Sequence, residues 1–127
     1  MSIIALKIVY IANILVAGWI SYTSLLYPKT AAQTVFQGAY PDTEVIRLVG
    51  SLWLGITVLS VLGLWRPITF SPVLLMQVIY KGSWLLIVAL PAIRAGIHYP
   101  KGMAGFFLVW VLVLPFVIPW KIWGSAL

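Results

Sequence analysis

A lysine stands at position 81, in the stretch QVIYKGSW, with long apolar runs on both sides. When a lysine is removed from bulk water, its amine can act as a nucleophile or bind an anionic or carbonyl-bearing group. Gln77 precedes Lys81 by four residues and Trp84 follows it by three, a spacing that places the three side chains on one face of a helix. The residue types therefore indicate a candidate site for the polar head of an apolar ligand.

Three interpretations of Lys81 remain open from the sequence. Its stem can extend towards a membrane surface, or burial can favour the uncharged amine. It can instead face a water-filled pocket together with Gln77, Thr57 and Asn13, or meet an anionic or carbonyl-bearing ligand. Ionisable residues inside membrane spans are costly and usually mark functional sites, so we take Lys81 as the centre of a candidate binding site.

The composition places this site in a membrane. The chain has 127 residues, 63% hydrophobic and 8% charged, whereas soluble domains average about 25% charged residues. It contains no cysteine and one histidine, His98, so we predict no disulfide, no metal site and no cofactor. The net charge of +6 comes from scattered cations, which we interpret as membrane anchoring and not as nucleic-acid binding.

Four apolar stretches are long enough to position these residues across a bilayer, which takes about 20 residues per helix. They lie at about 3–27, 45–64, 72–93 and 102–120. We predict an all-α integral membrane four-helix bundle that occupies residues 1–127 as a single domain. Short connections predict antiparallel hairpins for helices two and three and for helices three and four. A 16-residue loop, 29–44, joins helices one and two.

Polar and small side chains recur at helical spacing in the first three spans, which predicts their inward faces. These stripes contain Lys7, Tyr10, Asn13, Ala17, Ser21 and Ser24; Arg47, Gly50, Trp53, Thr57 and Ser60; and Gln77, Lys81, Trp84 and Val88. Helix four has no polar side chain apart from its tryptophans. We therefore expect helices one to three to enclose the polar interior, with helix four outside them or against a second subunit.

The stripes combine into one predicted ligand site. Its expected members are Lys81, Gln77, Trp84, Trp53, Arg47, Thr57 and Asn13. A cationic recess with aromatic walls suits an amphiphile with an anionic or carbonyl head, such as a fatty acid, a lipid or a quinone.

The two acidic residues of the chain, Asp42 and Glu44, are predicted to stabilise the start of helix two. No paired carboxylates lie in a span and no known catalytic pattern is present, so we predict no catalytic residues. An even number of spans places both termini on one side, which we expect to be the cytoplasm. Loop cations are nearly balanced between the two sides, which leaves dual topology open.

The stretch RLVGSLWLGITVLSVLGLWRP, followed by SPVLLMQVIYKGSW, resembles the middle hairpin of the DoxX-like small four-helix membrane proteins. The likeness covers about half of the chain and rests on Arg47, Gly50, the ending LSVLGL and the polar residues of helix three. Many members carry an acid three residues after the glycine, where this chain has Trp53. The resemblance implies a bacterial inner-membrane bundle, in some relatives tied to respiratory or redox partners, and it transfers no catalytic residue.

Three functions are compatible with these features. The first is a non-enzymatic membrane protein that binds a lipid-like or quinone-like amphiphile, or an accessory subunit of a membrane complex. The second is a small dimeric transporter, for an anion more readily than for a cation because no acid lies in a span. The third is a membrane enzyme that acts on lipid or quinone. The expected partners are thus a membrane amphiphile and a homodimer or larger membrane complex, without nucleic acid.

Overall fold

The computed structural model describes residues 3–126, and within that range the chain is helical without strands. The helices are α1 (Ile3–Leu26), α2 (Pro28–Thr34), α3 (Thr43–Trp65), α4 (Pro72–Trp84), α5 (Leu90–Ala95), α6 (Lys101–Val117) and α7 (Trp120–Ala126). A π-helical segment, Leu85–Ala89, joins α4 to α5, so that Pro72–Ala95 is one continuous helix. Three helices, α1, α3 and Pro72–Ala95, are long and apolar enough to cross a membrane, which makes this a membrane protein.

Two prolines explain where the chain departs from the predicted helices. Pro91 lies inside the third long helix and has no N–H for the carbonyl four residues before it, and the π-helical segment stands at that point. Ile118 is extended, with ψ 132°, because the residue before a proline avoids the helical region. The fourth predicted helix, 102–120, therefore ends at Val117, and α7 begins after Pro119.

The predicted 16-residue loop is partly helical. Pro28 begins α2, a position that suits a residue without an N–H, and the non-helical remainder is the segment 35–42. At the start of α3, the carboxylate of Asp42 accepts hydrogen bonds from the N–H groups of Glu44 (3.0 Å) and Val45 (3.2 Å). Glu44 forms a 3.2 Å ion pair with Arg47. The structural role predicted for both acids is confirmed.

The predicted polar stripes of helices one and two face each other. Tyr10 meets Gly63 near one end of the pair and Ser24 meets Gly50 near the other, so α1 and α3 run antiparallel. A Cβ atom added to Gly63 would lie 2.6 Å from Cζ of Tyr10, and one added to Gly50 would lie 2.7 Å from Cβ of Ser24. Small residues thus allow the two helices to approach closely, as in many membrane helix pairs.

The apolar helix α6 packs against α4. The backbone N–H of Gly102, at its start, donates to the Gln37 side chain at 3.0 Å. Beyond its other end, the indole N–H of Trp123 donates to the Ser71 hydroxyl at 3.0 Å. The expectation that helix four lies outside the polar interior was wrong, because its aromatic side chains line that interior.

Helices α3 and α4 follow each other in the chain but pack little against each other. A wide groove separates them along much of their length. Helices two and three, predicted to form a hairpin, are therefore separated by a groove and are not tightly packed. The main helix contacts are those between α1 and α3 and between α4 and α6.

We expect Gly63→Ala to destabilise the protein by about 1–3 kcal/mol, because the added methyl group overlaps the ring of Tyr10. Gly55→Ala is the matched control on the same helix, since a Cβ there meets nothing within 4 Å. Thermal unfolding of the purified protein, followed by circular dichroism, measures both. Equal melting temperatures for the two variants would contradict the close contact.

Candidate functional site

A buried polar cluster connects the three long helices. The side-chain amides of Asn13 and Gln77 form two hydrogen bonds with each other, at 2.9 and 3.1 Å. Asn13 also donates to the hydroxyl of Ser60 at 3.2 Å. All three side chains are buried, so their polar atoms satisfy one another away from lipid. The cluster joins α1, α3 and α4, as the helical spacing of these residues predicted.

The amine of Lys81 lies inside a box of four aromatic rings. Its Nζ is 5.2 Å from the ring centre of Phe107 and 5.5 Å from those of Tyr80, Phe106 and Trp110. We call these four residues the Lys81 box. The lysine is 3% exposed, so it is enclosed by protein and does not extend to the surface. Aromatic faces attract an ammonium group, by about 2 kcal/mol when the pair is desolvated.

Within residues 3–126 no carboxylate pairs with Lys81. Asp42 caps α3 and Glu44 pairs with Arg47, and the chain has no other acidic residue. A small cavity of about 20 Å³ adjoins the amine and is also lined by Asn13 and Gln77. That volume holds about one water molecule, and the amide groups beside it supply polar contacts. The recess predicted around Lys81 is therefore too small for a lipid-sized ligand.

A much larger apolar space, the α3–α4 groove, lies beside the Lys81 box. Its volume is about 500 Å³, within the range of small-molecule binding sites. One wall is formed by α3 from Val45 to Ile56 and the other by the third long helix from Met76 to Val88. Phe36 of the segment 35–42 closes one end, where its ring stacks on Trp53 with centres 6.2 Å apart and planes at 7°.

Three aromatic side chains separate the α3–α4 groove from the Lys81 amine. Trp53, Tyr80 and Phe107 line both the groove and the small cavity beside Lys81. Their rings stand between the two spaces, and the groove itself is lined by no charged side chain. The structure therefore divides the single recess predicted from the sequence into a polar cavity and an apolar groove.

Two tyrosine hydroxyl groups lie at the groove, and each is held in place by a hydrogen bond from an indole N–H. The indole N–H of Trp53 donates to the Tyr80 hydroxyl at 3.1 Å, and that of Trp84 donates to the Tyr40 hydroxyl at 3.2 Å. In each pair the tyrosine oxygen accepts, so its own proton remains available to donate. Tyr40 and Tyr80 both line the groove.

The predicted site residues fall into four groups. Asn13, Gln77 and Lys81 line the small cavity, Trp84 lines the groove, and Trp53 lines both. Thr57 lines neither space, and its hydroxyl donates to the carbonyl of Trp53 at 2.9 Å. Arg47 also lines neither, because its half-exposed side chain points to Glu44. The structure therefore places Arg47 outside both spaces.

Five further aromatic residues that line the two spaces were not predicted from the sequence, namely Tyr40, Tyr80, Phe106, Phe107 and Trp110. In α6 the spacing of Phe106, Phe107 and Trp110 is the available signal, because residues four apart share a helix face. The residues around these three in α6 are uniformly apolar, so no polar stripe identified this face.

Within residues 3–126, no three His, Cys, Asp or Glu side chains lie close enough together to hold a metal ion. His98 is exposed, as expected for a loop histidine, and its Nε2 lies 2.8 Å from the carbonyl oxygen of Gln37.

Comparison with protein-family models, with curated proteins and with solved structures found no match for this chain.

We expect Lys81 and Trp110 to be coupled energetically, by about 1–2 kcal/mol, because the ring faces the amine in a desolvated site. Trp110→Leu should therefore destabilise the wild-type protein more than it destabilises the Lys81→Met variant. A double-mutant cycle on the free energy of unfolding measures this difference. As a control, Trp65→Leu changes an exposed ring outside the Lys81 box, and its effect should add to that of Lys81→Met. Additivity for Trp110 as well would contradict the interaction.

Proposed function

We propose that this membrane protein binds a lipid-like or quinone-like amphiphile in the α3–α4 groove. The observation that carries the proposal is the groove itself, with about 500 Å³ of space between two helices that pack little against each other. Its walls are apolar side chains and aromatic rings, which suit an alkyl or isoprenoid chain. Such a protein acts as a binding protein or as an accessory subunit of a membrane complex.

The location of the ligand differs from that expected at Lys81. The cavity at the amine has room for about one water molecule, whereas the groove accommodates a chain. We therefore assign the Lys81 box to bundle stability, since its rings and the nearby amide cluster connect the long helices and α6. Trp53 and Trp84 are the members of the predicted site that we retain for the ligand.

Filling the groove should remove the bound species. Val49 lines the groove, so Val49→Trp places an indole in the space that the proposed ligand occupies. We expect native mass spectrometry of gently solubilised protein to show a co-purifying amphiphile on the wild type. Its occupancy should fall at least about tenfold in Val49→Trp, a loss of about 1.4 kcal/mol of binding free energy.

Val58→Trp is the matched control, because Val58 lies on α3, is half-exposed and does not line the groove. It should retain the amphiphile at the wild-type occupancy. Equal occupancy in Val49→Trp and wild type would contradict the proposed site. A wild-type protein that carries no amphiphile and takes up none from added lipid would contradict the function.

We further propose that α6 crosses the membrane as a fourth, short span, with both termini in the cytoplasm of a bacterial cell. Its 17 residues extend about 26 Å, close to the roughly 30 Å of the hydrocarbon core. Support comes from the contacts at its two ends, where Gly102 meets Gln37 and Trp123 meets Ser71. The DoxX-like relationship stays a prediction, and with it an inner-membrane location and redox partners.

The absence of cysteine from the sequence makes this topology directly testable with single-cysteine variants. Thr30→Cys, Thr69→Cys and Ser125→Cys place exposed thiols near α2, in the 66–71 turn and in α7. In intact cells, a membrane-impermeant maleimide should label Thr30→Cys alone, and permeabilisation should allow it to label the other two. If Ser125→Cys behaves like Thr30→Cys, α6 does not cross. Labelling of each variant from both sides would indicate dual topology.

A further inference from the structure

We infer that the head of the bound amphiphile is uncharged and carries a hydrogen-bond acceptor, and that Tyr40 and Tyr80 hold it. This inference rests on the proposed function, because it specifies the ligand of the same groove. The sequence favoured the Lys81 amine as the partner of the head group, whereas we assign that role to the two tyrosine hydroxyl groups.

The hydroxyl groups of Tyr40 and Tyr80, two residues that line the groove, can each donate a hydrogen bond. A tyrosine hydroxyl donates one hydrogen bond, and a buried one usually finds an acceptor. The oxygens of Tyr40 and Tyr80 each accept an indole N–H, which fixes the hydroxyl groups at the groove. Within residues 3–126 the Tyr40 hydroxyl proton has no acceptor. The Tyr80 hydroxyl has the Gln77 side-chain amide as a second polar neighbour, and that amide already exchanges two hydrogen bonds with Asn13. A ligand in the groove that carries a carbonyl oxygen would supply the missing acceptor.

The lining of the groove favours an uncharged head group. No charged side chain lines the groove, and an isolated ion in an apolar space carries a large desolvation cost. Lys81, the nearest buried cation, is separated from the groove by the rings of Tyr80 and Phe107, with its Nζ 5.5 and 5.2 Å from their centres. A carboxylate or phosphate in the groove would therefore lack a counter-charge, whereas an ester, ketone or quinone carbonyl needs only a donor.

The two tyrosine donors lie in the same part of the groove. Tyr80 and Trp84 are four residues apart on one helix, about 6 Å, and Trp84 holds Tyr40 of the segment 35–42. The two hydroxyl groups thus lie towards the end of the groove that this segment covers. An amphiphile bound there directs its head to that end and its chain along Ile56 and Met76.

Three probes with one chain separate the possible head groups. Each is a sixteen-carbon chain with a diazirine at mid-chain, as the methyl ester, as the free carboxylate or as the plain alkane. The protein is placed in nanodiscs of ether-linked phospholipid, because that lipid has no ester carbonyl to compete. Intact mass spectrometry after illumination gives the fraction labelled at each probe concentration.

We expect the ester to reach half-maximal labelling at a concentration at least about fivefold lower than the carboxylate or the alkane. Tyr40→Phe and Tyr80→Phe should each raise that concentration for the ester about fivefold, the effect of one hydrogen bond. Labelling by the alkane should not change, which separates a lost hydrogen bond from a collapsed groove. Tyr22→Phe makes the same chemical change at an exposed position outside the groove and serves as the control.

Two results would overturn the inference while leaving the proposed function intact. One is ester labelling that neither tyrosine variant weakens. The other is a preference for the carboxylate that Lys81→Met abolishes, which would show that an anionic head reaches the amine. If none of the three probes labels the groove, the proposed function fails together with the inference.

Discussion

The amine of Lys81 has to be kept away from hydrocarbon, and much of this bundle is arranged around that requirement. The side chain sits in the third long helix, and the two acidic residues of the chain are engaged at the start of α3, so no ion pair shields it. Aromatic rings take that place instead, one from the same helix and three from α6. This accounts for the packing of α6 against α4, although α6 has no polar stripe: its ring faces attract the amine, whereas lipid tails do not.

The contact between α6 and α4 has a consequence for the other side of α4. α3 is held closely by α1, through glycines that admit the ring of Tyr10 and the side chain of Ser24. With α4 drawn to α6 and α3 drawn to α1, the two middle helices remain apart. Trp53, Tyr80 and Phe107 stand in the resulting gap, where they enclose the amine on one side and line an apolar groove on the other. The same three rings therefore contribute both to the surroundings of Lys81 and to the wall of the proposed binding groove.

A buried amide cluster fixes how the helices meet. Asn13, Ser60 and Gln77 come from three helices and satisfy each other's hydrogen bonds, and a shift of any helix along its axis would break them. In hydrocarbon an unpaired amide is costly, so the cluster selects one register among several that apolar packing alone would allow. The groove then has a defined shape because the helices on either side of it have a defined register.

Much of this architecture can be predicted from the sequence. The three long helices follow from apolar runs of sufficient length. Their inward faces follow from the polar and small residues that recur at helical spacing within each helix, among them Asn13, Ser60 and Gln77. Polar groups are costly in lipid, so these faces turn towards one another. Asp42 at the start of α3 is likewise a local signal, since a cap acts within one turn.

What only the tertiary structure decided is which side chains surround Lys81 and where the open space lies. Phe106, Phe107 and Trp110 share one face of α6, but that helix has no polar stripe, so their spacing alone does not show that this face points inward. Arg47 shares a stripe with Trp53 yet turns to Glu44, because a nearby acid outside the membrane core is the better partner. A groove is the space left when helices pair elsewhere, and it depends on contacts between residues far apart in the chain, which local spacing does not encode.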